Sequence, residues 1–189
     1  MFPSAPPALR PSTPPSLQGA TLYVYNFLDV RAQMFGPRML DQVSRQLAMR
    51  LTENGVRSAA IMFKDSPVAL GYSQTMTYGQ SFDRIPIAET IVANHQRETE
   101  IGAQYRLIII PANFSQEGAW QTYDIRWLLM DIPSNSLVWS FLTHNRRMTL
   151  WRSDENAERR GRALIDEVMA DLRAQSILPT GGASAGARN

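Results

Sequence analysis

The segment that most restricts the fold is Tyr105-Arg-Leu-Ile-Ile-Ile-Pro111, a continuous apolar run of strand length. Successive strand side chains point to opposite faces, so a run that is apolar at both parities is buried on both sides when it lies at the centre of a sheet. Such a strand belongs in a layered fold, and the neighbouring segments supply the layers. Upstream, Thr21-Leu-Tyr-Val-Tyr-Asn-Phe-Leu28 is aromatic and β-branched and reads as a first strand. Gly36-Pro37 opens a helix with proline in its first turn, and Leu40, Val43, Leu47 and Leu51 fall on one face. Asn54-Gly55-Val56 closes that helix with Gly55 left-handed and Val56 set against Leu51, and residues 58–63 form a second strand.

Residues 65–85 are polar and punctuated by glycine, with Tyr72, Met76, Tyr78 and Phe82 near alternation, the pattern of a long loop or weak hairpin. Pro86 starts a second helix with Ile87, Ile91 and Val92 on its apolar face. After the central strand, residues 120–131 alternate, with Tyr123, Ile125, Trp127 and Leu129 on one face. A turn at Pro133-Ser-Asn-Ser136 leads to a strand over residues 137–143, completing an antiparallel hairpin. Ser153 can cap a last helix whose stripe is Ala157, Gly161, Leu164, Ile165, Val168 and Leu172. The order predicts an α/β fold: a mixed sheet with an antiparallel meander in its second half and about three helices on one or both faces. Strand order is not readable from this pattern.

The 189 residues are 44% hydrophobic and 19% charged, which suits one core. Residues 1–18 hold six prolines and one charge and are expected to be a flexible arm. Residues 19–178 form the α/β domain, and 179–189 lack large apolar side chains and are expected to be a disordered tail. No apolar run approaches the length of a membrane span. The pI near 9.2 suggests nucleic acid until the charges are located. The 17 acidic residues all lie between Asp29 and Asp171, and they cancel the basic residues of 19–178, so the excess belongs to the two ends. Nucleic acid is therefore not an expected partner.

There is no cysteine, which removes thiolate metal sites, disulfides and cysteine nucleophiles. The two histidines, His95 and His144, have no ligand or nucleophile at a suitable spacing and read as surface residues. No phosphate-binding glycine loop, nucleophile elbow or zinc-protease motif occurs. Asp124 and Asp131 are seven residues apart, on opposite faces of an unbroken strand, and read as structural. No catalytic residue, cofactor or metal is expected.

What remains is binding. Arg146, Arg147, Arg152, Arg159, Arg160 and Arg162 form a basic cluster, partly explained by the i,i+4 pairs Glu155 to Arg159 and Glu158 to Arg162. Trp120, Trp127, Trp139 and Trp151 cannot all share one core, so at least one is expected at the surface. Tyr72, Tyr78 and Phe82 sit in a segment too polar to bury them. The expected partner-binding residues are therefore Tyr72, Tyr78, Phe82, Trp139, Trp151, Arg146 and Arg147, with Tyr78 and Phe82 as anchors and the two arginines at the rim.

Short stretches also resemble a family. Ile101-Gly-Ala-Gln-Tyr-Arg-Leu-Ile108, then Leu128-Leu-Met-Asp131, a turn, and Leu137-Val-Trp-Ser140 with a closing amphipathic helix are similar to bacterial envelope lipoproteins whose domain is like the amino-terminal domain of TolB. That group includes activators of peptidoglycan synthases and the curli and Pel export lipoproteins. Asn135 stands where the family's turn carries glycine. The resemblance implies a TolB amino-terminal-like sandwich and a non-enzymatic periplasmic module, tethered to the outer membrane, that assembles with an envelope synthesis or export partner or with itself. Family members carry a leader and a lipidated cysteine. If Met1 replaces these, the Pro-rich arm is the tether; if the chain begins at Met1, a cytoplasmic location follows. The alternative function is a cytosolic α/β enzyme or nucleic-acid binder with a site assembled from distant residues.

Overall fold

The computed structural model describes residues 15–31, 35–69, 85–148 and 156–180. Strands β1 (Thr21–Asn26), β2 (Arg57–Met62), β3 (Tyr105–Glu117), β4 (Trp120–Asp131) and β5 (Ser136–Met148) form one sheet in the order β2-β1-β3-β4-β5. The first three strands are parallel, and β3, β4 and β5 make the antiparallel meander. The mixed α/β sheet expected from the sequence is the one found. Helices α1 (Pro37–Glu53) and α3 (Ala157–Ala174) cover one face, and α2 (Ile87–Glu100) lies on the other.

The parity of β3 decides what each layer contains. Leu107 and Ile109 join Leu22, Val24, Trp127 and Leu129 beneath α1 and α3, whereas Ile108 joins Tyr23, Tyr25 and Ile61 on the α2 side. The apolar run is thus buried on both faces, as its composition requires. Beyond Ile109 the strand has no partner on its β1 side, because β1 ends at Asn26. Pro111 therefore lies on an edge, where its missing N–H costs no ladder bond toward β1. The strand runs on to Glu117 through a bulge between Ala112 and Phe114, a polar extension that the sequence pattern did not announce.

Helix α1 ends as its sequence predicts. Gly55 adopts φ +75°, and the Val56 N–H donates to the Leu51 carbonyl at 2.9 Å. Helix α1 crosses α3 at Gly161, where an added Cβ would stand 2.9 Å from the Gln42 Cβ. Asn135 occupies the left-handed region at φ +50°, filling the glycine role in the β4–β5 turn. Two expectations shift. Leu17, assigned to the arm, is buried and its N–H donates to the Ile177 carbonyl, so the packed chain starts before residue 18. Ser153 lies outside the described residues, and α3 begins at Ala157 behind Asn156.

Helix α2 departs most from its pattern. Val92 is 76% exposed, and the fully buried residues of this helix are Thr90, Asn94 and Glu98. Ile87 and Ile91 do pack on the sheet, but only partly buried. Each polar side chain in the stripe is satisfied: the Thr90 hydroxyl donates to the Pro86 carbonyl, Asn94 donates to the Thr90 carbonyl, and Glu98 accepts from Tyr25 and Arg106.

Candidate interaction surface

Helix α2 packs over β2, β1 and β3, Leu128 and Met130 of β4 pack against the margin of that layer, and the same face of β5 and the rest of β4 is left uncovered among the described residues. What holds the helix there is a buried ion pair. Glu98 receives Arg106 Nε at 2.9 Å, Arg106 Nη2 at 2.8 Å and the Tyr25 hydroxyl at 2.8 Å, and Arg106 Nη1 also donates to Asn135 Oδ1. Burial pushes the Glu98 carboxyl up, but the hydrogen bonds from Arg106 and Tyr25 outweigh it and hold the group below its ordinary value. Burial also raises the Tyr25 hydroxyl, which stays protonated and donates.

On the uncovered half the floor is apolar at one end and polar at the other. Arg126, Leu128, Leu137, Ser140, Phe141 and Leu142 line an open groove of about 480 Å³. Leu137 is 56% exposed. Further along the strands, Asp124 faces His144, with Nδ1 to Oδ1 at 2.7 Å, and Asn113 donates to the other carboxylate oxygen at 2.9 Å. Slight burial raises the Asp124 carboxyl, while the bonds from Asn113 and His144 lower it and prevail. At the far end the Arg146 guanidinium lies over the Trp120 ring, 4.2 Å from its centroid. Phe114, Trp120 and Met148 are each near 40% exposed.

The expected binding residues separate in this arrangement. Trp139 is corrected: it is buried beneath α3, its ring Nε1–H donates to Asp171 Oδ2 at 2.7 Å, and it stacks on Phe141. Among the described residues the tryptophan at the surface is Trp120. Arg146 and Arg147 do not act together, because adjacent strand residues face opposite ways: Arg146 lies over Trp120, and Arg147 donates to Gln121. Tyr72, Tyr78, Phe82 and Trp151 lie outside the described residues. The exposed Leu137, the half-buried Leu142, Arg126, and the Asp124–His144 pair were not singled out together from the sequence.

Asp124 and His144 resemble two thirds of a triad, but no hydroxyl among the described residues hydrogen-bonds to His144. The nearest hydroxyl pair on the ladder, Ser115 and Thr122, is engaged with itself at 2.6 Å. No group of three or more His, Asp or Glu side chains among the described residues could hold a metal ion. No helix among them is long and apolar enough to cross a membrane.

No family model and no curated protein matches the chain. Among solved structures it is similar to the PelC dodecamer from Paraburkholderia phytofirmans, at 10% identity and TM-score 0.44, covering 82% of this chain and 92% of that one. It is also similar to the LpoB C-terminal domain from Salmonella enterica, at 16% identity and TM-score 0.35, covering 68% and 83%. A minor lipoprotein from Acinetobacter baumannii aligns at 12% identity and TM-score 0.35, covering 85% and 97%. Identities this low leave function to be argued from the chain's own surface.

Proposed function

We propose that the chain is a non-enzymatic interaction module of the bacterial cell envelope, held near a membrane by a tether and assembling with an envelope protein or with copies of itself. The observation that carries the binding half of this reading is the uncovered face of β4 and β5. Leu137 stands open there with Leu128 and Leu142 half-buried beside it, whereas α2 closes the same face over the other three strands. A contiguous apolar floor with a polar rim is the surface a partner covers. The envelope half rests on the residues around Ile101–Ile108 and Leu137–Ser140 that resemble the lipoprotein family, and the Pro-rich arm suits a tether.

Tyr72, Tyr78 and Phe82 are partner-binding residues in this reading, with Tyr78 and Phe82 as anchors. The segment that carries them joins Ala69 to Ile85, and both of those pack on the α2 side of the sheet. Trp151 follows the end of β5 by three residues and Arg146 supplies the rim. Replacing Tyr78 and Phe82 together by Ser should leave the circular dichroism spectrum intact and weaken self-association or capture from envelope extract at least tenfold, about 1.4 kcal/mol. Analytical ultracentrifugation and a pull-down measure it. Unchanged association would move the interface off these anchors, and a chain that neither self-associates nor captures an envelope protein would overturn the module reading. The gene sequence upstream of Met1 tests the tether: a leader ending in a cysteine suited to lipidation supports it.

A further inference from the structure

β5 is the last strand of the sheet, and among the described residues no strand pairs with its outer side. It is 13 residues long, against 6 for β2 at the opposite edge. Exposed edges in natural sheets are normally blunted by charge, proline or shortness. β5 carries no proline, and from Ser136 through Thr143 it carries no charge. Its N–H and C=O groups on that side form a template for one more strand.

The side chains beside this edge specify what that strand should be. On the uncovered face β5 presents Leu137, Ser140, Leu142, His144 and Arg146 in order, backed by Leu128 and Arg126 on β4. An added strand would lie about 4.8 Å away, with every second side chain continuing this floor. Toward Leu137 the continuation is apolar. Toward Arg146 it is cationic: the Arg146 guanidinium lies over Trp120 and has no carboxylate partner among the described residues. Asp124 stands on the neighbouring rung of this face, but His144 and Asn113 take up its two oxygens.

We propose that β5 takes up an extended segment of a partner protein as a sixth strand, and that the segment it selects is apolar beside Leu137–Leu142 and carries Asp or Glu beside Arg146. This rests on the reading of the chain as an interaction module and supplies the chemistry of its partner. A strand-adding peptide gains affinity from main-chain bonds and specificity from alternate side chains, which is the division of labour this edge offers. Single-stranded nucleic acid fits less well, because it needs open aromatic platforms and, among the described residues, the ring on this face is occupied by Arg146.

The test is panning of the full chain against a random twelve-residue peptide library displayed on phage. The enriched peptides should alternate apolar residues and end in Asp or Glu. Synthesised with a fluorescein label, they should bind the full chain with an anisotropy signal that weakens as salt is raised. Arg146→Glu should weaken that binding at least tenfold, and so should Leu142→Lys. Arg159→Glu, on α3 across the sheet, should leave it unchanged, and circular dichroism should show every variant folded. Absence of enrichment, peptides without an acidic end, or binding indifferent to the Arg146 reversal would overturn the proposal. Displacement of the peptide by a dT12 oligonucleotide or by phosphatidylglycerol vesicles at lower concentration than unlabelled peptide would also overturn it. If the chain self-associates through Tyr78 and Phe82 while no peptide is enriched, the strand proposal falls and the module reading stands.

Discussion

Replacing Glu98 by Ala is the sharpest test of how the second layer is attached. The side chain of Glu98 is 1% exposed and that of Arg106 8%, so the substitution strands a guanidinium in the interior with only the Asn135 oxygen beside it. Removing one partner of a buried pair costs about 3–5 kcal/mol, because the remaining charge has lost both water and its counterion. The Tyr25 hydroxyl loses its acceptor at the same time, adding about 1–3 kcal/mol that overlaps the first figure. A loss near 4 kcal/mol is therefore expected, a large part of the roughly 5–15 kcal/mol that holds a domain together. Urea unfolding at neutral pH, followed by circular dichroism, measures it. The double variant Glu98→Leu with Arg106→Met removes both charges and should recover to within about 1–2 kcal/mol of the parent, giving strong coupling in the cycle.

Acid titration reads the same contact with a fixed sign. The folded carboxyl lies below its ordinary value of 4.5, so around that value the unfolded state binds more protons than the folded one. The contribution is fully present above that value and is lost as pH falls through the lower folded pKa. Glu98→Gln should flatten the fall of the urea midpoint in that acidic window. A Glu98→Ala loss below about 1 kcal/mol, or additive losses in the cycle, would refute the account of the pair as the anchor of α2.

Gly161→Val should destabilise by about 1–3 kcal/mol in the same urea assay, since its Cβ would press on Gln42 at a helix crossing that has no room to give. Asp124→Asn and His144→Ala should each shift stability by less than about 1 kcal/mol, because the pair lies at the surface, with His144 75% exposed. Neither should remove any enzymatic activity; a hydrolytic or transfer activity abolished by either change in a folded chain would overturn the non-enzymatic reading.

Much of the fold was legible because local chemistry and tertiary demand agreed. The β3 run is apolar at both parities and is covered on both faces; α1 carries a clean stripe and a Gly55 stop and ends where that stop says. Helix α2 was less legible for the opposite reason. A periodic reading looks for apolar residues, and the stripe that this helix buries is Thr90, Asn94 and Glu98, made tolerable by partners 8 and 73 residues away from Glu98 in sequence. Those partners become visible only once β1 and β3 are known to be neighbours.

The proposed binding surface was hidden by a single residue. The Met130↔Leu137 and Leu129↔Trp139 pairs show that the β4–β5 register slips by one at Val138. Had the ladder continued regularly from the turn, Trp139 would have faced the uncovered side and Leu142 the core, and His144 would not have met Asp124. The bulge places Val138 and Trp139 together under α3 and turns Ser140, Leu142, His144 and Arg146 outward with Leu137. The sequence Leu137-Val-Trp-Ser-Phe-Leu-Thr143 has no glycine or proline to mark that slip, so strict alternation sends Trp139 to the wrong face. Burial of the indole drives the choice: Trp139 gains the Asp171 bond and the Phe141 stack beneath α3, and two leucines are left on the open side. The exposed apolar floor is thus a consequence of where the tryptophan goes, and a partner that covers Leu137 and Leu142 completes a sheet that the chain's own described helices cover only in part.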